Sequence, residues 1–178
     1  AKTKSGLSFM HLAAKQKSIL LMNTFSNMGL SYNVQDNKGR TPLMVLINEK
    51  SPIIKAWESL LNKRSLDINL QDEDGWAIIH YAAVSEKSNI LPSLFRRRDI
   101  NINLKTKKGE TPMRLAMIHD NSKFVNFLTN DSRLNDESKR DKAAIEEEEE
   151  RDFNERMRFQ DMIDDYDEGN ASIYAILN

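Results

Sequence analysis

The chain has 178 residues, of which 39% are hydrophobic, 7% aromatic and 30% charged, and its net charge is −1. Apolar residues that are mainly aliphatic and spread along the chain suit a helical array better than one large core. The lack of cysteine excludes disulfides, Cys-based zinc sites and thiol nucleophiles. No apolar run reaches the roughly 18 residues of a transmembrane helix, and residues 1–5 carry no signal-peptide pattern, so the expected compartment is cytoplasmic or nuclear.

Charge is distributed unevenly. Residues 1–130 hold 19 Lys and Arg against 11 Asp and Glu, whereas residues 131–178 hold 7 against 16. The basic part should attract acidic partners at low salt, and the acidic part is itself a candidate for such a partner, in cis or in trans.

In chain order, the first feature is Gly6 followed by a short apolar helix with Ala13 and Ala14. A second helix carries Ile19, Leu20, Met22 and Phe25. Asp36 then precedes Gly39 by three residues, a turn in which the carboxylate bonds nearby N–H groups and the glycine takes positive φ. Thr41-Pro42 opens the next helix, because proline at the first position gives up only an N–H that would be unpaired anyway. Ile54, Trp57, Leu60 and Leu61 follow at helical spacing. The pattern returns with Asp72 and Gly75, then Ala82, Ala83, Ile90, Leu91, Leu94 and Phe95. It returns again with Gly109, Thr111-Pro112, Ala116, Phe124, Val125, Phe127 and Leu128.

The four glycines are 33, 36 and 34 residues apart, and the segments GLSFMHLAA, GRTPLMVLI, GWAIIHYAA and GETPMRLAM follow them. A period near 33 with a Thr-Pro-Leu-His-x-Ala core resembles the ankyrin repeat family over residues 2–130. The resemblance implies an all-α ankyrin-repeat solenoid of helix-turn-helix units with β-hairpin-like connecting loops, in repeats of about 2–35, 36–71, 72–105 and 106–130. No single repeat covers its own apolar stripe, so stacking must stabilise the fold. Departures from the pattern are Ser8-Phe9 and Ala77-Ile78 in place of Thr-Pro, and Pro92 within a second helix, which predicts an early break or a late start. Lys2 to Ser5 stand where a hairpin belongs with no capping helix before them, which predicts a bare apolar end face and a fragment of a longer protein.

Past Asn130 the rhythm stops, and residues 131–178 form an acidic, partly helical tail with five consecutive glutamates, Glu146 to Glu150. Phe153, Met157, Phe159, Met162, Ile163 and Tyr166 recur at helical spacing, predicting a helix over about 143–166. Two roles compete for it: a cap over the exposed end of the fourth repeat, or a docking segment that lies on the basic repeats or on another protein.

Catalysis has no visible foothold, since no phosphate-binding loop, dinucleotide fingerprint, nucleophile elbow or metalloprotease helix is present. No cofactor or metal is expected. His119 stands alone, and Met44 and Arg114 replace the histidine of His11 and His80 in two repeats, which argues against a repeated ligand. By resemblance, His11 and His80 hydrogen-bond between adjacent hairpins. Also by resemblance, partners are held on a concave face of hairpin tips and inner helices, where the residue after each repeat glycine is exposed: Leu7, Arg40, Trp76 and Glu110. Arg40, Trp76 and Glu110 with Lys38, Lys107 and Lys108 make the candidate partner-binding set, Trp76 foremost as an aromatic anchor. The run Arg96, Arg97 and Arg98 is a candidate anion site for lipid or nucleic-acid phosphate, although no interleaved aromatics favour nucleic acid. The expected function is a non-catalytic scaffold or adaptor binding a protein or acidic peptide. The alternatives are an anionic-surface binder and a structural spacer in a larger trafficking or regulatory protein.

Overall fold

The computed structural model describes residues 2–47, 54–85 and 87–176, with side chains through residue 158 apart from that of Ser88. It divides into a unit ending at Lys139 and a second unit beginning at Arg140. Helix pairs follow one another in the first unit: α1 (Phe9–Lys15) with α2 (Ile19–Asn27), α3 (Pro42–Ile47) with α4 (Ile54–Leu61), α5 (Ile78–Ala83) with α6 (Leu91–Arg96), and α7 (Pro112–Ile118) with α8 (Ser122–Thr129). α9 (Asp136–Ile176) closes the described chain. Among the described residues the only extended pairing is an isolated antiparallel bridge between Lys2 and Ser8.

Two rows result. The odd-numbered helices α1, α3, α5 and α7 pack on one another in sequence, and α2, α4, α6 and α8 do the same. Ala13, Ala14, Ala82, Ala83 and Ala116 are buried in the odd-numbered row, where small side chains let short helices approach. The larger side chains fill the other row: Met22, Trp57, Leu60, Leu61, Leu94, Phe124 and Leu128 are each no more than 3% exposed. The continuous core that links the rows is what a lone repeat lacks.

Three of the apolar residues expected in that core lie outside it. Leu20 is 76% exposed on the first helix pair, where no described element covers its outer side, and Phe9 and Met28 of the same pair are also exposed. Ile54 is partly exposed at the first position of α4. Phe127 is partly exposed but stacks on Phe95 at 5.3 Å.

Helix starts explain how two repeats manage without proline. Ser8 caps α1 by accepting the His11 N–H, and its own N–H is taken by His11 Nδ1 at 3.2 Å. Ala77 has no capping oxygen, yet its N–H donates to His80 Nδ1 at 3.0 Å, so the histidine performs half of the capping box. In the third repeat a 3-10 turn at Ser88–Ile90 precedes α6, and Pro92 sits in the first turn of that helix. A late start is therefore the outcome, as proline tolerates a first turn but not a helix interior.

Stacking also continues beyond Asn130. Asn103 donates its side-chain amide to the Arg133 carbonyl at 2.7 Å and accepts the Asn135 N–H at 3.0 Å. Leu134 and Ser138 are buried. Asn135 Oδ1 takes the Ser138 N–H, and Asp136 and Glu137 occupy the first turn of α9, where negative charge favours a helix N-terminus. α9 thus starts earlier than the apolar spacing predicted and ends later, at Ile176, because cap and acidic turn decide its start and Gly169 does not interrupt it. Every side chain from 146 to 158 is exposed, Phe153 and Met157 included. Phe159, Ile163 and Tyr166 lie outside the described side chains.

Candidate functional site

One turn recurs at all four hairpins. Thr3, Asp36, Asp72 and Thr106 each donate their N–H to the carbonyl of the residue after the repeat glycine, namely Leu7, Arg40, Trp76 and Glu110. Their side-chain oxygens accept in return: Asp36 Oδ1 takes the N–H groups of Lys38 and Arg40, both at 2.9 Å, and Asp72 Oδ1 those of Asp74 and Trp76. Thr3 accepts the Leu7 N–H and Thr106 that of Glu110, so threonine does in the outer repeats what aspartate does in the middle two. Gly39 and Gly75 have φ of 73° and 79°, and a Cβ on Gly75 would stand 2.6 Å from the Lys107 nitrogen. The hairpins are therefore stacked in backbone contact.

Hydrogen bonds run from repeat to repeat along this edge. Asn37 N–H donates to the Ser5 carbonyl, Glu73 to Lys38 and Lys107 to Asp74. Gln35 and Gln71 each bridge two repeats, to the Gln71 and Lys105 carbonyls respectively. Behind them Asn33 and Asn69 each donate to a carbonyl of the following repeat and accept an N–H from it, and Asn103 does the same with Arg133 and Asn135. Sequence reasoning missed this row, although the recurrence of Asn33-Val34-Gln35-Asp36 as Asn69-Leu70-Gln71-Asp72 and Asn103-Leu104-Lys105-Thr106 carried the signal.

The histidines sit inside the edge. His11 Nε2 donates to the Arg40 carbonyl at 2.8 Å and His80 Nε2 to the Leu104 carbonyl at 3.0 Å, since in each ring Nδ1 already accepts a backbone N–H. Both rings are fully buried, and burial holds their pKa below the ordinary histidine value despite the carbonyls that oppose it. They are neutral structural links from an inner helix to the next hairpin, at Arg40, or to the segment that leads into it, at Leu104. Among the described residues no cluster of His, Asp and Glu could hold a metal ion.

Of the residues picked for partner binding, Lys38, Lys107 and Lys108 are exposed at the hairpin tips, and Arg40, Trp76 and Glu110 are half-buried behind them. Arg40 is folded back: its Nε and Nη2 donate to Asp36 Oδ2 at 3.0 and 2.7 Å. Burial alone would raise the Asp36 pKa, but the Arg40 guanidinium and the two backbone N–H groups outweigh it and hold the carboxyl below its usual range. Trp76 is placed differently. Its ring packs against Tyr81 at 5.3 Å and lies 6.1 Å from His80, while the Tyr81 hydroxyl donates to Asp72 Oδ2. Burial and then the Asp72 carboxylate push the Tyr81 pKa well up. Glu110 accepts from the Thr106 hydroxyl at 3.0 Å. The third tip, Glu73-Asp74, is exposed and acidic, and it interrupts the basic edge between Lys38 and Lys107. Tyr81 shares its register with Leu12, Val45 and Leu115, another row sequence reasoning did not single out; Leu12 is partly exposed, Val45 half-buried and Leu115 buried.

The arginine run separates into different roles. Arg97 commits all five of its N–H donors: Nη1 to the Leu61 and Lys63 carbonyls, Nη2 to the Leu66 carbonyl and Asp99, and Nε to Asp99. It ties the carbonyls after α4 to the next repeat and has no donor left for a free anion, which corrects its candidacy as an anion contact. Arg133 repeats the device, donating to Asp131 and to the carbonyls of Arg97, Arg98 and Ile100. Arg96 and Arg98 are exposed.

Helix pairs stacked through hairpins that share asparagine, glutamine and histidine bridges define a repeat solenoid. A family model of ankyrin repeats, in three copies, matches residues 54–140, and the all-helical stack is that of an ankyrin-type solenoid. A 68-residue stretch, 36% of the chain, is 34% identical to Rabankyrin-5 of Mus musculus and spans 6% of that protein's length. Among the described residues no helix is long and apolar enough to cross a membrane.

Proposed function

We propose that this chain is a non-catalytic interaction module, a scaffold or adaptor that binds a partner protein or peptide on its hairpin and inner-helix face. Ankyrin repeats are in general protein-binding modules, which supports the coarse reading. The observation that carries the finer one is the setting of Trp76. Its ring is half-exposed, rests on Tyr81, and its backbone is held by Asp72, so a large aromatic surface is presented with little left to order on binding.

The charges around it narrow the partner. Arg40 is neutralised by Asp36, leaving Lys38, Lys107 and Lys108 as exposed cations and Glu73-Asp74 as an acidic interruption. A partner surface with acidic patches on either side of a basic one fits this edge better than a uniformly acidic peptide. The test is affinity capture from a native extract with wild-type and Trp76→Ala chains, each checked for helicity, with quantitative mass spectrometry. A protein held by the wild type and lost by the folded variant supports the proposal; equal capture by both favours a spacer and overturns it.

A further inference from the structure

A cavity of about 510 Å³ opens in the α2–α4–α6–α8 row, away from Trp76, where the ends of α4 and α6 meet. Glu58, Lys63, Arg64, Ser93, Arg96 and Arg97 line it. We propose that this cavity is a binding site for a compact phosphate-bearing anion.

Two helix C-termini at one place would ordinarily repel an anion, because unpaired carbonyls carry negative partial charge. Here Arg97 removes that objection. Its guanidinium occupies the Leu61, Lys63 and Leu66 carbonyls, and it neutralises Asp99 in the same wall. Glu58 accepts from the Ser93 hydroxyl at 3.2 Å and is the acid of the wall that has no cation partner among the described residues. Against it stand Lys63, Arg64 and Arg96, none of which has an ion-pair partner among the described residues; the Lys63 ammonium lies 5.9 Å from the Tyr32 ring centre. Two of these cations follow α4 and one ends α6, so only the stacking of the second and third repeats brings them together. Against Glu58 they leave a surplus of about two positive charges, the charge that one phosphoryl group carries at neutral pH, and the volume lies within the usual range for small-molecule sites. Among the described residues no aromatic ring lines the cavity, so charge and hydrogen bonding recognise the ligand rather than base stacking.

Tripolyphosphate titrated into the full chain at low salt, followed by calorimetry, tests the site. Saturable binding that weakens by about tenfold or more in Arg64→Gln/Arg96→Gln, and is kept in Lys107→Gln/Lys108→Gln, supports it. Absence of saturable binding, or an equal loss in both double variants, overturns it, the latter because it signals diffuse attraction to a basic surface. Arg64 and Arg96 are exposed, so helicity should survive; if it does not, Lys63→Gln alone carries the same comparison. Sedimentation with phosphatidylcholine vesicles containing phosphatidylinositol bisphosphate identifies the source. Binding with the same variant dependence places the anion on a lipid headgroup, and tripolyphosphate binding without vesicle binding places it in solution; both outcomes support the site.

Discussion

Tyr81 on α5 donates its hydroxyl to Asp72 in the preceding hairpin, 2.5 Å away, and thereby ties an inner helix to the turn that presents Trp76. In the second repeat Val45 stands in the register of Tyr81, and the equivalent carboxylate, Asp36, is satisfied by Arg40 instead. The same turn thus offers a pinned indole in one repeat and a self-neutralised guanidinium in the other.

Tyr81→Phe keeps the ring packing but removes that tie. It should lower stability by about 1 kcal/mol and loosen Trp76, which indole fluorescence anisotropy reads on the folded chain. Unchanged anisotropy would mean that ring packing alone positions the indole.

The histidines predict a pH dependence. Both rings are held neutral with folded-state pKa below the ordinary value near 6.5, so the unfolded chain binds protons that the folded chain refuses. Their stabilising contribution is complete above about 6.5 and fades as pH falls through that value towards the lowered folded pKa. Denaturant midpoints measured between neutral and mildly acidic pH should fall for the wild type and flatten in His80→Gln. An unchanged slope in that variant would assign the dependence elsewhere.

Arg97 and Arg98 are neighbours in sequence and should differ sharply in thermal unfolding. Arg97→Ala leaves carbonyls after α4 and Asp99 without their partner and should cost about 2 kcal/mol or more. Arg98→Ala, at an exposed position, should stay within about 0.5 kcal/mol of wild type.

For the core, Phe124→Ala removes a fully buried ring that meets Phe95 edge-on at 5.5 Å, and urea unfolding should register a loss of about 3–5 kcal/mol. Asn103→Ala removes two bonds that join the end of the third repeat to Arg133 and Asn135, with an expected loss of about 1–3 kcal/mol in the same assay.

Glycine spacing, Asp-to-Gly turns and Thr-Pro starts were enough to read the helix pairs and their stacking, because each depends on residues close together in the chain. Apolar spacing places the start of α9 too late, because Asn135 and two acidic residues already mark a cap. Asn33, Asn69 and Asn103 were passed over because a polar residue in a loop shows its purpose only when a neighbouring backbone is in place.

Local sequence alone determined the repeat, its turns and the alternation of short and bulky helices, since turn geometry and helical periodicity act within a few residues. Only the tertiary structure decided which charges are spent and which are free. Arg40 and Arg97 are consumed by carboxylates or carbonyls that their spatial neighbours supply, whereas Lys63, Arg64 and Arg96 converge across two repeats. A side chain's charge is written in its chemistry, but its availability depends on what folding places beside it.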